Sequence, residues 1–151
     1  MNSRNDYLQI LDEAWQAHLL SKHEKAPKVI SLFAGGGGSS LGYSMAGYHE
    51  LLAVEWDNNA VQIFKLNFPE IPIYHNDICH LSATECLKLA GILVGKLDVL
   101  DGSPPCQGFS TAGKREFTDN RNQLYHQYVR LLRGLKPKVF YNGKREWACQ
   151  R

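Results

Sequence analysis

Val29-Ile30-Ser31-Leu32-Phe33 runs without a break into Ala34-Gly35-Gly36-Gly37-Gly38, and Ser39 to Gly47 follows with the composition of a serine-capped helix. An apolar run of this length, ended by glycines, reads as a strand buried on both faces. The glycine run permits a tight turn, positive φ where the turn requires it, and close approach of backbone to a ligand. Strand, glycine turn and helix in succession open a doubly wound α/β sheet, whose ligand crevice lies outside the carboxyl ends of the strands.

The rest of the chain repeats this rhythm. Leu51 to Glu55 predicts a second strand, and Asp57 caps a helix with Ala60, Val61, Phe64 and Phe68 on its inner face. Pro69 and Pro72 bracket its exit, and Ile73-Tyr74 is a short third strand. The spacing of Cys86, Leu89 and Ala90 predicts a helix from Ser82 to about Leu93, and Leu97 to Leu100 a fourth strand. Leu124, Tyr128, Leu131, Leu132 and Leu135 mark a helix stopped by Gly134 and Pro137, before a fifth strand at Val139-Phe140-Tyr141. Alternating strands and helices imply right-handed βαβ units and a mostly parallel, Rossmann-like sheet with flanking helices. Ahead of it, Tyr7, Leu8, Leu11, Ala14, Trp15 and Leu19 recur at helical spacing. They predict an amphipathic helix from about Asp6 to about Ser21 that packs on something, ended by Ala26-Pro27.

With 151 residues, 44% hydrophobic and 21% charged, the chain has the make-up of one globular domain with its own core. Lys and Arg total 17 against 15 Asp and Glu, a net charge of +2, which excludes a strongly basic nucleic-acid arm but not a local basic patch. No apolar run approaches the roughly 18 residues of a membrane span, and the charged residues near the N-terminus are wrong for a signal peptide. A cytoplasmic protein with no membrane association is the expectation. Cys79, Cys86, Cys106 and Cys149 form no C-x-x-C pair, and His75, Asp77, Cys79 and His80 match no common zinc spacing, so no metal site is expected.

Two constellations carry chemistry. Glu55, about 20 positions beyond the glycine run, is placed to accept ribose hydroxyls, Trp56 offers a flat face for an adenine ring, and Asp77 an acceptor for its amino group. The strict G-x-G-x-x-G fingerprint is absent, which disfavours an NAD-dependent oxidoreductase; a ligand-free tight turn is the plain alternative. The second constellation is Asp101-Gly102-Ser103-Pro104-Pro105-Cys106-Gln107-Gly108-Phe109-Ser110, beside the same crevice. Its prolines stiffen the approach to Cys106, presenting a thiol that backbone N–H groups or a nearby cation must activate. A buried structural thiol is the plain alternative for Cys106 taken alone.

Phe33 to Gly38, Glu55-Trp56-Asp57, Asn76-Asp77-Ile78 and Gly102 to Ser110, in this order, resemble the successive motifs of the DNA (cytosine-5)-methyltransferases. Asp119 to Leu124 is similar to the family's next motif with Asn122 in place of its usual glycine, and Ser31 stands where many members carry Asp. The resemblance implies S-adenosyl-L-methionine as cofactor, with its adenine held by Phe33 and Trp56, its ribose by Glu55 and its amino group by Asp77. Ala34, Gly35, Gly37 and Ile78 belong to the same cofactor site, and Pro104 and Leu124 line it. It implies Cys106 as the nucleophile that adds to carbon 6 of a cytosine flipped out of double-stranded DNA. Gln107, Ser110, Lys114 and Arg121 are the candidate DNA contacts. A monomer acting in a modification system, with a cognate restriction endonuclease as companion, is the implied setting.

The resemblance covers the front half of the family's catalytic domain, residues 27–140, behind an N-terminal helix in residues 1–26. Where the family continues with a Glu-Asn-Val motif that protonates cytosine, residues 141–151 read as an aberrant tail. One inserted base accounts for it: ATG GAA AAC GTG AAT GGG read one base early behind an A encodes Asn142 to Trp147. Without that acid, worth roughly 10² to 10⁴ in rate, and without a target-recognition region, the polypeptide is expected to transfer no measurable methyl. Retention of S-adenosylmethionine without chemistry is the alternative function, and the fifth strand is expected to form an uncovered edge.

Overall fold

The computed structural model describes residues 3–20, 25–104 and 120–142, the side chains of 3–6, 19–20 and 120–122 excepted. Five parallel strands, β1 (Lys28–Leu32), β2 (His49–Glu55), β3 (Ile73–His75), β4 (Val99–Gly102) and β5 (Val139–Asn142), form one sheet in the order β3-β2-β1-β4-β5. The chain winds outward through β2 and β3, then crosses to the other side of β1. The carboxyl ends of β1 and β4 therefore flank the point where the strand order reverses, the expected ligand crevice.

Helices α2 (Gly38–Met45), α3 (Asn58–Asn67), α4 (Ala83–Ala90) and α5 (Asn120–Leu135) make the crossovers, with a short 3-10 turn at Ile78–His80. On one face of the sheet, Ile30, Leu32, Leu52, Val54 and Leu100 pack with Cys86 and Ala90 of α4 and Tyr128, Leu131 and Leu135 of α5. Each such aliphatic side chain, fully buried, contributes about 1.5–3 kcal/mol. Gly134 allows that closeness, because a Cβ there would overlap Cβ of Ala83. On the other face, Ala34, Ala53, Phe64, Phe68 and Ile71 form a second core under α3. Asp57 caps α3 as its sequence position predicts, accepting the Ala60 N–H at 2.8 Å, and Ser82 caps α4 in the same way.

Several elements depart from their predicted form. Helix α2 has no serine cap; its cap residue is Gly37, in the left-handed region at φ 95°, and the serines turn to tertiary partners. Ser40 donates to buried Glu50 at 3.1 Å. Leu97 is fully buried but precedes β4, which runs instead from Val99 to Gly102. Gly134 lies inside α5, and the helix ends where Lys136 adopts φ 50° before Pro137.

Helix α1 (Ser3–Leu20) forms, yet Tyr7, Leu8 and Leu11 remain exposed. Among its described side chains the docking contacts come from the second half: Trp15 Nε1 donates to the Asn67 carbonyl at 3.1 Å and the ring packs edge-on against Phe68, while His18 meets Ser44 of α2. At the opposite side, β5 is the sheet edge, with Val139, Phe140 and Tyr141 between 57% and 59% exposed.

Candidate functional site

The glycine turn is held from the neighbouring strand. Glu55, buried at the carboxyl end of β2, accepts the Gly35 N–H at 2.8 Å through one carboxylate oxygen. Its other oxygen accepts the N–H groups of Trp56 and Asp57 at 2.9 and 3.0 Å. A carboxylate has about four lone-pair sites, so three backbone bonds leave capacity for a ligand hydroxyl. Gly35 and Gly37 both have positive φ, as a tight glycine turn requires. At Gly37 a Cβ would also lie 2.5 Å from Phe68 Cε2, so that position admits no side chain.

Phe33 adopts φ 60°, a conformation that is uncommon for a bulky residue and clusters at functional sites. The backbone there swings its ring into a pocket of about 620 Å³ at the carboxyl ends of β1, β2 and β3. Phe33, Trp56, Ile78 and Leu124 supply aromatic and aliphatic wall, and Glu55 and Asp77 supply carboxylates. Trp56 is 75% exposed, its indole standing in the mouth instead of in the core. The described lining holds no lysine or arginine.

Asp77 is fixed by its own backbone. Its carboxylate caps the 3-10 turn by accepting the Cys79 N–H at 2.8 Å, and its N–H donates to the Asn76 side-chain oxygen at 2.8 Å. The bonds from Cys79 hold its pKa below the usual carboxylate range, so it stays ionised beside the pocket. The neighbouring Cys79 thiol is pushed up, by desolvation first and then by Asp77. The His75, Asp77, Cys79 and His80 set is not gathered as a metal-ligating group among the described residues.

The pocket thus brings together Phe33, Glu55, Trp56, Asp77, Ile78 and Leu124, six residues singled out from the sequence. Ala34, Gly35, Gly37 and Pro104 lie outside its lining. Ala34 is in the second core, the two glycines shape the turn, and Pro104 is buried beyond the end of β4. Val54, Asn76, Cys79 and Gln123 line the pocket without having been assigned to the cofactor site. Strand alternation and adjacency to Glu55, Asp77 and Leu124 were the available signals. Cys106, Gln107, Ser110 and Lys114, the side chain of Arg121 and the tail from residue 143 lie outside the described residues.

Residues 27–141 match the family model described as C-5 cytosine-specific DNA methylase. The chain is 43% identical over 114 residues to Type II methyltransferase M.XorII of Xanthomonas oryzae, covering 76% of this chain and 27% of that protein. It is 43% identical over 114 residues to M1.HphI of Haemophilus parahaemolyticus, covering 74% and 30%. The crystal structure of a prophage-encoded DNA modification methyltransferase from Escherichia coli superposes with a TM-score of 0.65 at 37% identity, over 76% of this chain and 31% of that one. DNMT2 of Spodoptera frugiperda, solved as a mutant, gives 0.52 at 26% identity, over 71% and 31%. The chain therefore spans under a third of the length of these relatives. Sequence match, sheet order and structural likeness agree: this chain belongs to the C-5 cytosine-specific DNA methylase family.

Proposed function

We propose that the pocket seats S-adenosyl-L-methionine and that the protein takes part in methylating carbon 5 of cytosine in double-stranded DNA. One observation carries the cofactor reading: a pocket of nucleoside size has aromatic and aliphatic walls and two carboxylates at its rim. Phe33 and Trp56 enclose the adenine, Asp77 accepts from its amino group, and Glu55 accepts from the ribose while holding the Gly35 N–H. Ile78 and Leu124 complete its wall, and Ala34, Gly35, Gly37 and Pro104, outside the lining, are the further residues proposed for the cofactor site. A rim whose described residues include two carboxylates and no lysine or arginine suits a cationic sulfonium ligand better than a dinucleotide pyrophosphate.

When bound, the cofactor supplies an electrophilic methyl group. Cys106 follows β4 in the chain after Ser103, Pro104 and Pro105 and is the proposed nucleophile. Its thiolate would add to carbon 6 of a flipped cytosine and make carbon 5 nucleophilic toward that methyl, whose bond to the sulfonium sulfur breaks to leave the neutral thioether; loss of the carbon 5 proton and of the thiolate would then restore the ring. Gln107, Ser110, Lys114 and Arg121 are the proposed DNA contacts, and a restriction endonuclease is the proposed companion.

Calorimetry with S-adenosylmethionine tests the cofactor reading. Binding by the wild type, weakened at least tenfold in Glu55→Ala and in Asp77→Ala, is expected; tighter binding of NADH would overturn it. No measurable transfer of labelled methyl to mixed-sequence duplex DNA is expected from this chain by itself; label that appears and is lost in Cys106→Ala would overturn that and assign the nucleophile, whereas label that persists in Cys106→Ala would remove Cys106 from the role.

A further inference from the structure

The 3-10 turn at Ile78–His80 carries the Asp77 edge of the pocket, yet it is a single short turn whose Cys79 and His80 side chains are exposed. From below, buried Ile78 and Leu81 root it in the first core. A residue from a distant segment holds its backbone. Arg130 of α5 donates through Nη2 to the carbonyl oxygens of Ile78 at 3.0 Å and Leu81 at 2.8 Å, 52 and 49 positions away in the chain. Its Nε donates to Gln127 Oε1 at 2.6 Å, three residues earlier in the same helix, so the planar guanidinium is fixed along two of its edges.

The Ile78 carbonyl and the Cys79 N–H belong to the same peptide group, which is planar and stiff. At one end that group accepts from Arg130; at the other, the Cys79 N–H donates to Asp77 Oδ1 at 2.8 Å. A single peptide plane therefore connects the guanidinium to the carboxylate. A cation on the carbonyl also polarises the peptide and strengthens the bond that its N–H gives. Arg130 does not itself line the pocket. Its contacts tie together the two segments that do, since α5 supplies Gln123 and Leu124, and the turn with its approach supplies Asn76, Asp77, Ile78 and Cys79.

We propose that Arg130 is a positioning residue for Asp77: through the Ile78–Cys79 peptide it fixes the carboxylate at the pocket and thereby sets the preference for a base that bears an amino group. That preference rests on the reading of the pocket as the S-adenosylmethionine site. The hold on the turn does not.

Amide exchange followed by NMR on the full, ligand-free chain tests the hold. Arg130→Met, at an exposed position, should speed exchange at Cys79, His80 and Leu81 about fivefold and leave β1 and β4 unchanged. Gln127→Ala, which releases the other edge of the guanidinium, should move the same amides in the same direction by less. Calorimetry then compares S-adenosylmethionine with its counterpart carrying hypoxanthine, which lacks the amino group. Arg130→Met should bind S-adenosylmethionine about fivefold more weakly and the counterpart as the wild type does, and adding it to Asp77→Ala should cost nothing further. Unchanged exchange at the three amides, or an equal loss of affinity for both ligands, would overturn the proposal. Faster exchange in a chain whose wild type binds neither ligand would support the hold on the turn and count against the cofactor reading alone.

Discussion

Gly37 and Cys86 show how far one side chain reaches into this fold. At Gly37 a methyl group would meet both a left-handed backbone and the Phe68 ring at 2.5 Å. Gly37→Ala should therefore lower unfolding free energy by about 1–3 kcal/mol, the usual cost of overpacking, read from the urea midpoint; a change within about 0.5 kcal/mol would contradict the tight contact. Cys86 is fully buried in the first core and its thiol is pushed up to about 12, chiefly by desolvation. Cys79 is exposed at the pocket. Brief maleimide treatment of native protein at pH 8 should label Cys79 and spare Cys86 until the chain is unfolded, as peptide mass spectrometry would show. Glu55 and Asp77 were legible as pocket residues because the crevice of this fold lies at the carboxyl ends of its strands. The positive φ of Phe33 was not, since no local signal marks a bulky residue forced into that conformation by what surrounds it.

Pairing between elements explains both what was legible and what was not. The amino ends of β1, β4 and β5 are tied together by Asp98, which accepts the Lys28 N–H at 2.7 Å and the Lys138 ammonium at 2.6 Å. Those bonds hold its pKa below the ordinary aspartate value. A depressed folded-state pKa contributes stability above the unfolded value near 3.9, and that stability is lost as pH falls through the folded value. Lys138 is 68% exposed, so screening limits the pair to under about 1 kcal/mol. Asp98→Asn should thus unfold at lower urea than the wild type at pH 7, with the gap closing below about pH 4. A gap that widens in acid would refute this. The serine cap predicted for α2 failed for a related reason. Ser40 has the chemistry of a cap, but Glu50 on β2 claims its hydroxyl. Asp57 and Ser82 have no such competitor and cap as local rules predict.

For the whole molecule, the sheet is asymmetric. A parallel sheet needs both faces and both edges covered, yet β5 is an edge strand among the described residues and presents exposed Val139, Phe140 and Tyr141. Light scattering at fixed protein concentration should show less self-association in Val139→Lys and Phe140→Lys than in wild type; equal scattering would clear this edge of blame. No described helix is long and apolar enough to cross a membrane. Apolar runs, glycines, prolines and cap residues are local signals, and they determined the alternation of strands and helices, the parallel sheet and the strand-end acceptors Glu55 and Asp77. They did so because each depends on a few consecutive side chains. Only the tertiary structure decided that α1 docks through Trp15 and leaves Tyr7, Leu8 and Leu11 in solvent. It alone placed Val54, Asn76, Cys79 and Gln123 on the pocket and set Glu50 against Ser40. Those facts depend on register and packing between segments far apart in the chain, and periodicity within one segment shows that a face is apolar without naming what covers it.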